Sequence, residues 1–123
     1  MTPIRVLLVE DNESFRQTLE MVFALRDEVE VIGGASTGNE APELARELRP
    51  DVVLMDYRMP GLNGAEATRA VLTACPDTSV VCLTASVTAQ EVQEVEAAGA
   101  VKCVAKDGDF DRLVRIVCEA ARR

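Results

Sequence analysis

The sequence lacks histidine and tryptophan, and its aromatic residues are limited to one tyrosine and three phenylalanines. Without histidine the chain cannot form, by itself, a Ser-His-Asp triad, a histidine-ligated zinc site or an imidazole acid-base pair. With so few aromatic rings, the core must be built mainly from valine, leucine, isoleucine and alanine. Any imidazole chemistry must therefore come from another molecule.

Long apolar runs and excess positive charge are also missing. No stretch approaches the length of a membrane span and the N-terminus has no signal-peptide pattern, so we expect a cytoplasmic location and no membrane association. The formal charge of −8 argues against direct nucleic-acid binding by this domain. We expect the cysteines to be reduced thiols packed as small apolar residues, since none has C-x-x-C spacing. They are Cys75, Cys82, Cys103 and Cys118.

The chain does contain five short, mostly apolar runs separated by helix-like stretches, a pattern typical of buried parallel strands in an α/β protein. The length of 123 residues indicates one domain, 1–123. The second run alternates polar and apolar residues and suits a sheet edge, whereas the third is apolar throughout and suits the centre. We therefore predict an α/β, flavodoxin-like (βα)5 doubly wound sandwich with parallel strand order 2-1-3-4-5. The predicted strands are 4–9, 29–35, 52–56, 79–84 and 102–105.

Capping residues mark the helix starts. Pro42 favours Asn39 as the N-cap of the second helix, because proline is easiest to place in the first turn. Val87 and Val92 are spaced for a hydrophobic staple at the start of the fourth helix. The other predicted N-caps are Asn63, Thr88 and Asp109, the first two followed three residues later by a glutamate, as in a capping box.

Four of the strands lead into polar residues that can handle a phosphoryl group: Glu10-Asp11, Asp56, Thr84 and Lys106. The carboxyl ends of parallel strands form one edge, where ligands bind. Two carboxylates about 4 Å apart repel by about 4 kcal/mol at an effective dielectric constant of about 20, so this cluster needs a countercharge or a bound proton. Oxygen ligands without cysteine or histidine favour Mg²⁺.

Glu10-Asp11 alone has a simpler interpretation, in which Asp11 or Asn12 caps the first helix and Glu10 is solvated. Considered together with Asp56, Thr84 and Lys106 at matching strand ends, the same pair favours a metal site. Lys106 itself, at a strand end, should be little buried and should matter more for phosphoryl transfer than for folding.

Over essentially its whole length the chain resembles the receiver domain of two-component response regulators. The motif residues are Glu10-Asp11, Asp56, Met59-Pro60-Gly61, Gly64, Thr84-Ala85 and Lys106. The resemblance implies that Asp56 is the phosphoacceptor and that Asp11, Asp56 and the backbone carbonyl of Arg58 bind Mg²⁺. It implies further that Glu10 holds the metal through water and that Thr84 and Lys106 contact the phosphoryl oxygens.

The resemblance also implies partners and an output. The donor would be a phosphohistidine of a sensor histidine kinase, which must be another protein because this chain has no histidine. The surface of the fourth helix, fifth strand and fifth helix would pass the signal on and could form a homodimer. We expect no enzymatic turnover, and regulation of transcription through an output domain absent from this chain. A stand-alone receiver or phosphorelay intermediate is the alternative.

Two rival functions fit the residues less well. Haloacid-dehalogenase-like phosphatases, which also form an aspartyl phosphate, use Asp-x-Asp, whereas the triplet here is Asp56-Tyr57-Arg58. A flavin or nucleotide module would need a Gly- or Ser/Thr-rich loop after the first strand, and this chain has acidic residues there.

The chain departs from the receiver pattern near its end. Receivers usually carry Tyr or Phe three residues before the lysine, where this chain has Cys103. Asp107 follows the lysine, as in the subfamily with a LuxR-type helix-turn-helix output domain, although that subfamily generally has Gly-Tyr in place of Lys102-Cys103. We therefore expect a muted or rerouted activation change, carried by Thr84 and residues 85–88.

Overall fold

The computed structural model describes residues 2–86 and 88–122, in which strands and helices alternate. Every strand has the bounds predicted from the sequence. None of the described helices is long and apolar enough to cross a membrane. The strands are β1 (Ile4–Val9), β2 (Val29–Ala35), β3 (Val52–Asp56), β4 (Ser79–Thr84) and β5 (Lys102–Ala105), and the helices are α1 (Glu13–Ala24), α2 (Ala41–Leu48), α3 (Gly64–Ala74), α4 (Ala89–Ala97) and α5 (Phe110–Ala121).

The described strands form one parallel sheet in the order β2-β1-β3-β4-β5, which confirms the predicted topology. The alternating strand β2 lies at an edge. The continuously apolar strand β3 lies at the centre, and all five of its residues are buried. A strand covered on both faces gains from apolar side chains at every position, whereas an edge strand tolerates polar ones.

Two core layers cover the two faces of the sheet. Successive strand residues point to opposite faces, so Val53 and Met55 pack in the layer with α2 and α3, while Val52 and Leu54 pack in the layer with α1 and α5. Phe23 is the one aromatic residue among the largest fully buried side chains of the described residues, and the others are valine, leucine and methionine.

The helix starts agree with the sequence in three cases and differ in one. The side chains of Asn63, Thr88 and Asp109 each accept a hydrogen bond from a backbone N–H in the first turn, as N-caps do. The N-cap of α2 is Glu40, so the prediction of Asn39 is wrong. Asn39 Oδ1 instead accepts a hydrogen bond from Leu62 N at 3.1 Å, which ties it to the loop after β3.

Two further details concern the same helices. Pro42 does lie in the first turn of α2, as its missing N–H requires. Val87 lies outside the described residues, so its staple with Val92 stays a prediction.

Candidate functional site

The strand ends bring three carboxylates together at the carboxyl edge of the sheet. Asp56 is the last residue of β3 and is 6% exposed, and Glu10, which follows β1, is 2% exposed. Asp11 lies beside them and is exposed. One oxygen from each of the three side chains lies within 4.8 Å of the other two. The predicted acidic cluster is therefore present, with two of its three members buried.

Lys106 supplies the countercharge for the buried pair. Its Nζ lies 2.7 Å from Glu10 Oε1 and 3.3 Å from Asp56 Oδ2. The same ammonium lies 4.7 Å from the centre of the Phe15 ring, within the range of a cation–π contact. With these partners the lysine side chain is only 14% exposed, so the expectation that it would be little buried is wrong.

Backbone N–H groups fix the buried carboxylates. Asp56 Oδ1 accepts a hydrogen bond from Tyr57 N at 2.8 Å, and Glu10 Oε2 accepts one from Asn12 N at 3.1 Å. Asn12 in turn caps α1, its Oδ1 accepting from Phe15 N at 3.0 Å. The simpler interpretation of this turn was thus right about Asn12 as the cap and wrong about Glu10, which is buried rather than solvated.

Burial and crowding change the acidity of the site. Burial, together with the neighbouring carboxyl of Glu10, raises the pKa of Asp56 to about 7, and the lowering effect of Lys106 does not cancel this rise. Burial lowers the pKa of Lys106, but Glu10 and Asp56 together outweigh that effect and leave this pKa above its ordinary value. The site is therefore short of positive charge, which favours binding of a cation.

Gly64 permits the close approach of α3 to the strand that ends in Asp56. A Cβ at this position would lie 2.6 Å from the Asp56 carbonyl oxygen and 2.7 Å from the Tyr57 Cα. Gly64 N donates a hydrogen bond to Tyr57 O at 2.7 Å, which closes the β3–α3 loop. Any larger residue would push the loop away from the site.

Thr84 and Arg58 both contact Glu91 of α4. Thr84 ends β4 and is 1% exposed, with its Oγ1 3.4 Å from Glu91 Oε1. Arg58 Nη2 lies 3.0 Å from Glu91 Oε2, although the arginine side chain is 70% exposed. The guanidinium of Arg58 is thus directed to α4, and its carbonyl as a metal ligand stays a prediction.

The contacts at the start of α4 reveal a residue that the sequence did not suggest. Thr88 Oγ1 accepts a hydrogen bond from Glu91 N at 3.1 Å, and the Glu91 carboxylate contacts Thr84 and Arg58. The capping pattern was the only sequence signal at Glu91. Phe15 and the Tyr57–Glu94 hydrogen bond carried no such signal.

The donor atoms at this edge suit a hard divalent cation. Glu10, Asp11 and Asp56 offer only oxygen, which Mg²⁺ prefers, and one or two carboxylates are its usual protein ligands. The buried pair has a single lysine against two carboxylates, so a further positive charge is favourable. The residues therefore fit Mg²⁺.

Comparison with known proteins agrees with this geometry. A family model described as the response regulator receiver domain matches residues 6–118. The chain belongs to this receiver domain family. Receiver domains bind Mg²⁺ at an acidic pocket, and Glu10, Asp11 and Asp56 form an acidic cluster here.

Individual relatives place the receiver among response regulators of two-component systems. It is 41% identical over 119 residues to the transcriptional regulatory protein LiaR of Bacillus subtilis, covering 97% of this chain and 56% of LiaR. It is 37% identical over 114 residues to the response regulator GacA of Pseudomonas aeruginosa, covering 93% of this chain and 53% of GacA. The chain thus spans about half the length of these curated relatives.

A solved structure gives the same result for the fold. The receiver superimposes on the signal receiver domain of the response regulator NarL from Mycobacterium tuberculosis with a TM-score of 0.94 and 32% identity, covering 99% of this chain and 98% of that one. The chain is therefore the receiver domain of a two-component response regulator.

Proposed function

We propose that Asp56 accepts a phosphoryl group from a phosphohistidine of a sensor histidine kinase, in a reaction that requires Mg²⁺. The observation that carries this proposal is the position of Asp56. It is a buried carboxylate at the end of the central strand, 3.3 Å from the ammonium of Lys106 and within a cluster of acidic oxygens.

The chemistry is a transfer between two nucleophiles. An Asp56 carboxylate oxygen forms a bond to phosphorus while the bond from phosphorus to the histidine nitrogen breaks, and the imidazole leaves. The Lys106 ammonium lies close enough to Asp56 to neutralise negative charge on the transferring group. Thr84 lies one residue beyond the position that pairs with Asp56 on β4, where its hydroxyl can donate to a phosphoryl oxygen.

The metal would be held by Asp11, Asp56 and the backbone carbonyl of Arg58, with Glu10 acting through water. When bound, Mg²⁺ would neutralise charge on the phosphoryl oxygens and orient them for in-line transfer. Asp11 is the exposed member of the cluster, so a solvated ion can reach it first. Glu10 already forms an ion pair with Lys106 and accepts a hydrogen bond from the N–H of Asn12, which supports its contact with the metal through water.

The proposal is tested with acetyl phosphate, a small phosphoryl donor, and intact-mass measurement. With Mg²⁺ we expect a gain of one phosphoryl group per chain, and in excess chelator we expect none. Continuous release of inorganic phosphate in many turnovers per chain, without a phosphorylated protein, would instead favour the phosphatase. An unmodified chain under all conditions would contradict the proposal.

We further propose that the receiver controls transcription through an output domain of a longer protein. Support comes from relatives named as transcriptional regulatory proteins, of which this chain spans about half. A LuxR-type helix-turn-helix as the output domain, and a homodimer through the face of α4, β5 and α5, belong to the same proposal. A stand-alone receiver or phosphorelay intermediate acting by protein contacts is the alternative. Binding of the longer protein to promoter DNA, with and without phosphorylation, separates the two.

A further inference from the structure

Glu91 is a buried carboxylate that phosphoryl transfer to Asp56 does not by itself explain. It is the third residue of α4 and is 7% exposed. Its two oxygens lie 3.4 Å from Thr84 Oγ1 and 3.0 Å from Arg58 Nη2. One side chain of α4 therefore contacts two residues of the proposed site, one from β4 and one from the loop after β3.

The Thr84 hydroxyl has one hydrogen and, among the described residues, two acceptors within reach. The Ser86 carbonyl and the Glu91 carboxylate each lie 3.4 Å from Oγ1. A charged carboxylate is the stronger acceptor of the two. Both distances exceed those of a strong O–H···O bond. The hydroxyl therefore forms only a weak hydrogen bond and can donate to a better-placed acceptor instead.

We propose that Glu91 is a positioning residue that holds Thr84 and Arg58 in the unphosphorylated arrangement, and that a phosphoryl group on Asp56 competes with Glu91 for the Thr84 hydroxyl. The proposal rests on the proposed phosphorylation of Asp56. A phosphoryl group there brings anionic oxygens to the strand end next to Thr84, and a hydroxyl donates only one hydrogen bond at a time.

The competition connects the phosphorylation site to α4. When Thr84 turns to the phosphoryl group, the Glu91 carboxylate keeps Arg58 as its only side-chain partner among those found in the described residues. A buried carboxylate that loses a hydrogen bond is costly, so the first turn of α4 must shift or admit water. This route needs no aromatic ring at the position of Cys103.

The test measures binding of beryllofluoride, a phosphoryl mimic, in the presence of Mg²⁺ by following amide NMR signals. Glu91→Gln keeps the side-chain shape and removes the charge that competes for Thr84. We expect this variant to bind beryllofluoride about threefold more tightly than wild type, the scale of one weak hydrogen bond. In a Thr84→Ala background the same substitution should have no effect, because the two residues act through one contact.

Glu96→Gln is the matched control. Glu96 is an exposed residue of the same helix, and within the described part of the chain its carboxylate accepts no hydrogen bond. The substitution removes the same charge from α4 but should leave beryllofluoride affinity unchanged. A gain as large as that of Glu91→Gln would show a general charge effect and would overturn the proposal.

The remaining outcomes separate the two proposals. If wild type binds no beryllofluoride and accepts no phosphoryl group, the proposed function fails. If wild type binds but Glu91→Gln binds equally or more weakly, or keeps its gain without the Thr84 hydroxyl, only the role of Glu91 fails. The titration of wild type is itself a test. The amide signals of residues 84 and 89–92 should shift at the same beryllofluoride concentration. Unshifted signals at 89–92 would overturn the role of Glu91.

Discussion

Among single residues, Asp56 is the one whose charge balance matters most. One ammonium faces two buried carboxylates, and the pKa of Asp56 rises to about 7 through burial and the proximity of Glu10. The folded protein therefore holds a proton on Asp56 at pH values where the unfolded chain has lost it. This difference makes stability depend on pH.

We predict that Asp56→Asn is more stable than wild type above neutral pH in the absence of divalent metal. With a folded pKa near 7 and an ordinary value of 3.8, the contribution of Asp56 to wild-type stability is complete below the lower value. This stabilising contribution is lost as pH rises through the folded pKa. The thermal midpoint of the variant should exceed that of wild type by about 4 °C at about pH 8, and the difference should shrink towards about pH 5.

Asp77→Asn is the control for that comparison, since Asp77 is exposed. It should follow wild type across the whole pH range. If Asp56→Asn also follows wild type, the pKa of Asp56 is not raised as we describe.

We predict that Lys106→Ala folds but loses about 2 kcal/mol of unfolding free energy in chelator at neutral pH, because it leaves Glu10 and Asp56 buried without their cation. Urea unfolding measures this loss. Lys102→Ala removes an exposed lysine of β5 and should change the free energy by less than about 0.5 kcal/mol. Equal losses in the two variants would contradict the burial of Lys106.

Among the elements, the strands and three of the helix caps were predictable, whereas side-chain partners distant in sequence were not. The five strands follow from short apolar runs bounded by polar residues, a pattern that burial on both faces imposes directly. The N-cap of α2 was misplaced because Asn39 bonds to Leu62, a partner distant in sequence. For the same reason the capping pattern at Glu91 gave no indication of its contact with Arg58, 33 residues away.

We predict that Gly64→Ala displaces the β3–α3 loop and costs about 2 kcal/mol of unfolding free energy, since the new Cβ would lie 2.6 Å from the Asp56 carbonyl oxygen. Gly34→Ala is the control. There the nearest atom to the new Cβ is the flexible Arg16 Cδ at 3.3 Å, so a smaller loss is expected. Urea unfolding measures the loss of unfolding free energy in both variants. A loss from Gly64→Ala no larger than that from Gly34→Ala would refute the close approach of α3 to the end of β3.

At the scale of the whole molecule, the parallel sheet collects the carboxyl ends of β1, β3, β4 and β5 at one edge. The sequence predicted which residues meet there because strand ends and polar residues coincide. It did not predict that the Lys106 ammonium would lie against the Phe15 ring, since Phe15 belongs to α1 and Lys106 follows β5, far apart in sequence. The strand order therefore determines which residues form the site, and the packing of the helices determines which contacts those residues make.

We predict that Mg²⁺ stabilises the whole domain. A ligand that binds only the folded state raises stability by mass action, so the thermal midpoint should rise steadily with Mg²⁺ concentration. Asp11→Asn, which removes the exposed carboxylate of the cluster, should reduce the rise. A wild-type thermal midpoint that does not change with Mg²⁺ concentration would argue against a metal site at this edge.

Chemical trapping locates the phosphoryl group after reaction with acetyl phosphate and Mg²⁺. Borohydride reduces an aspartyl phosphate to homoserine, which peptide mass spectrometry identifies by position. We predict homoserine at position 56 alone, none in excess chelator, and none anywhere in Asp56→Asn. Homoserine at another aspartate, or modification of the Asp56→Asn variant at the wild-type rate, would show that Asp56 is not the sole phosphoacceptor.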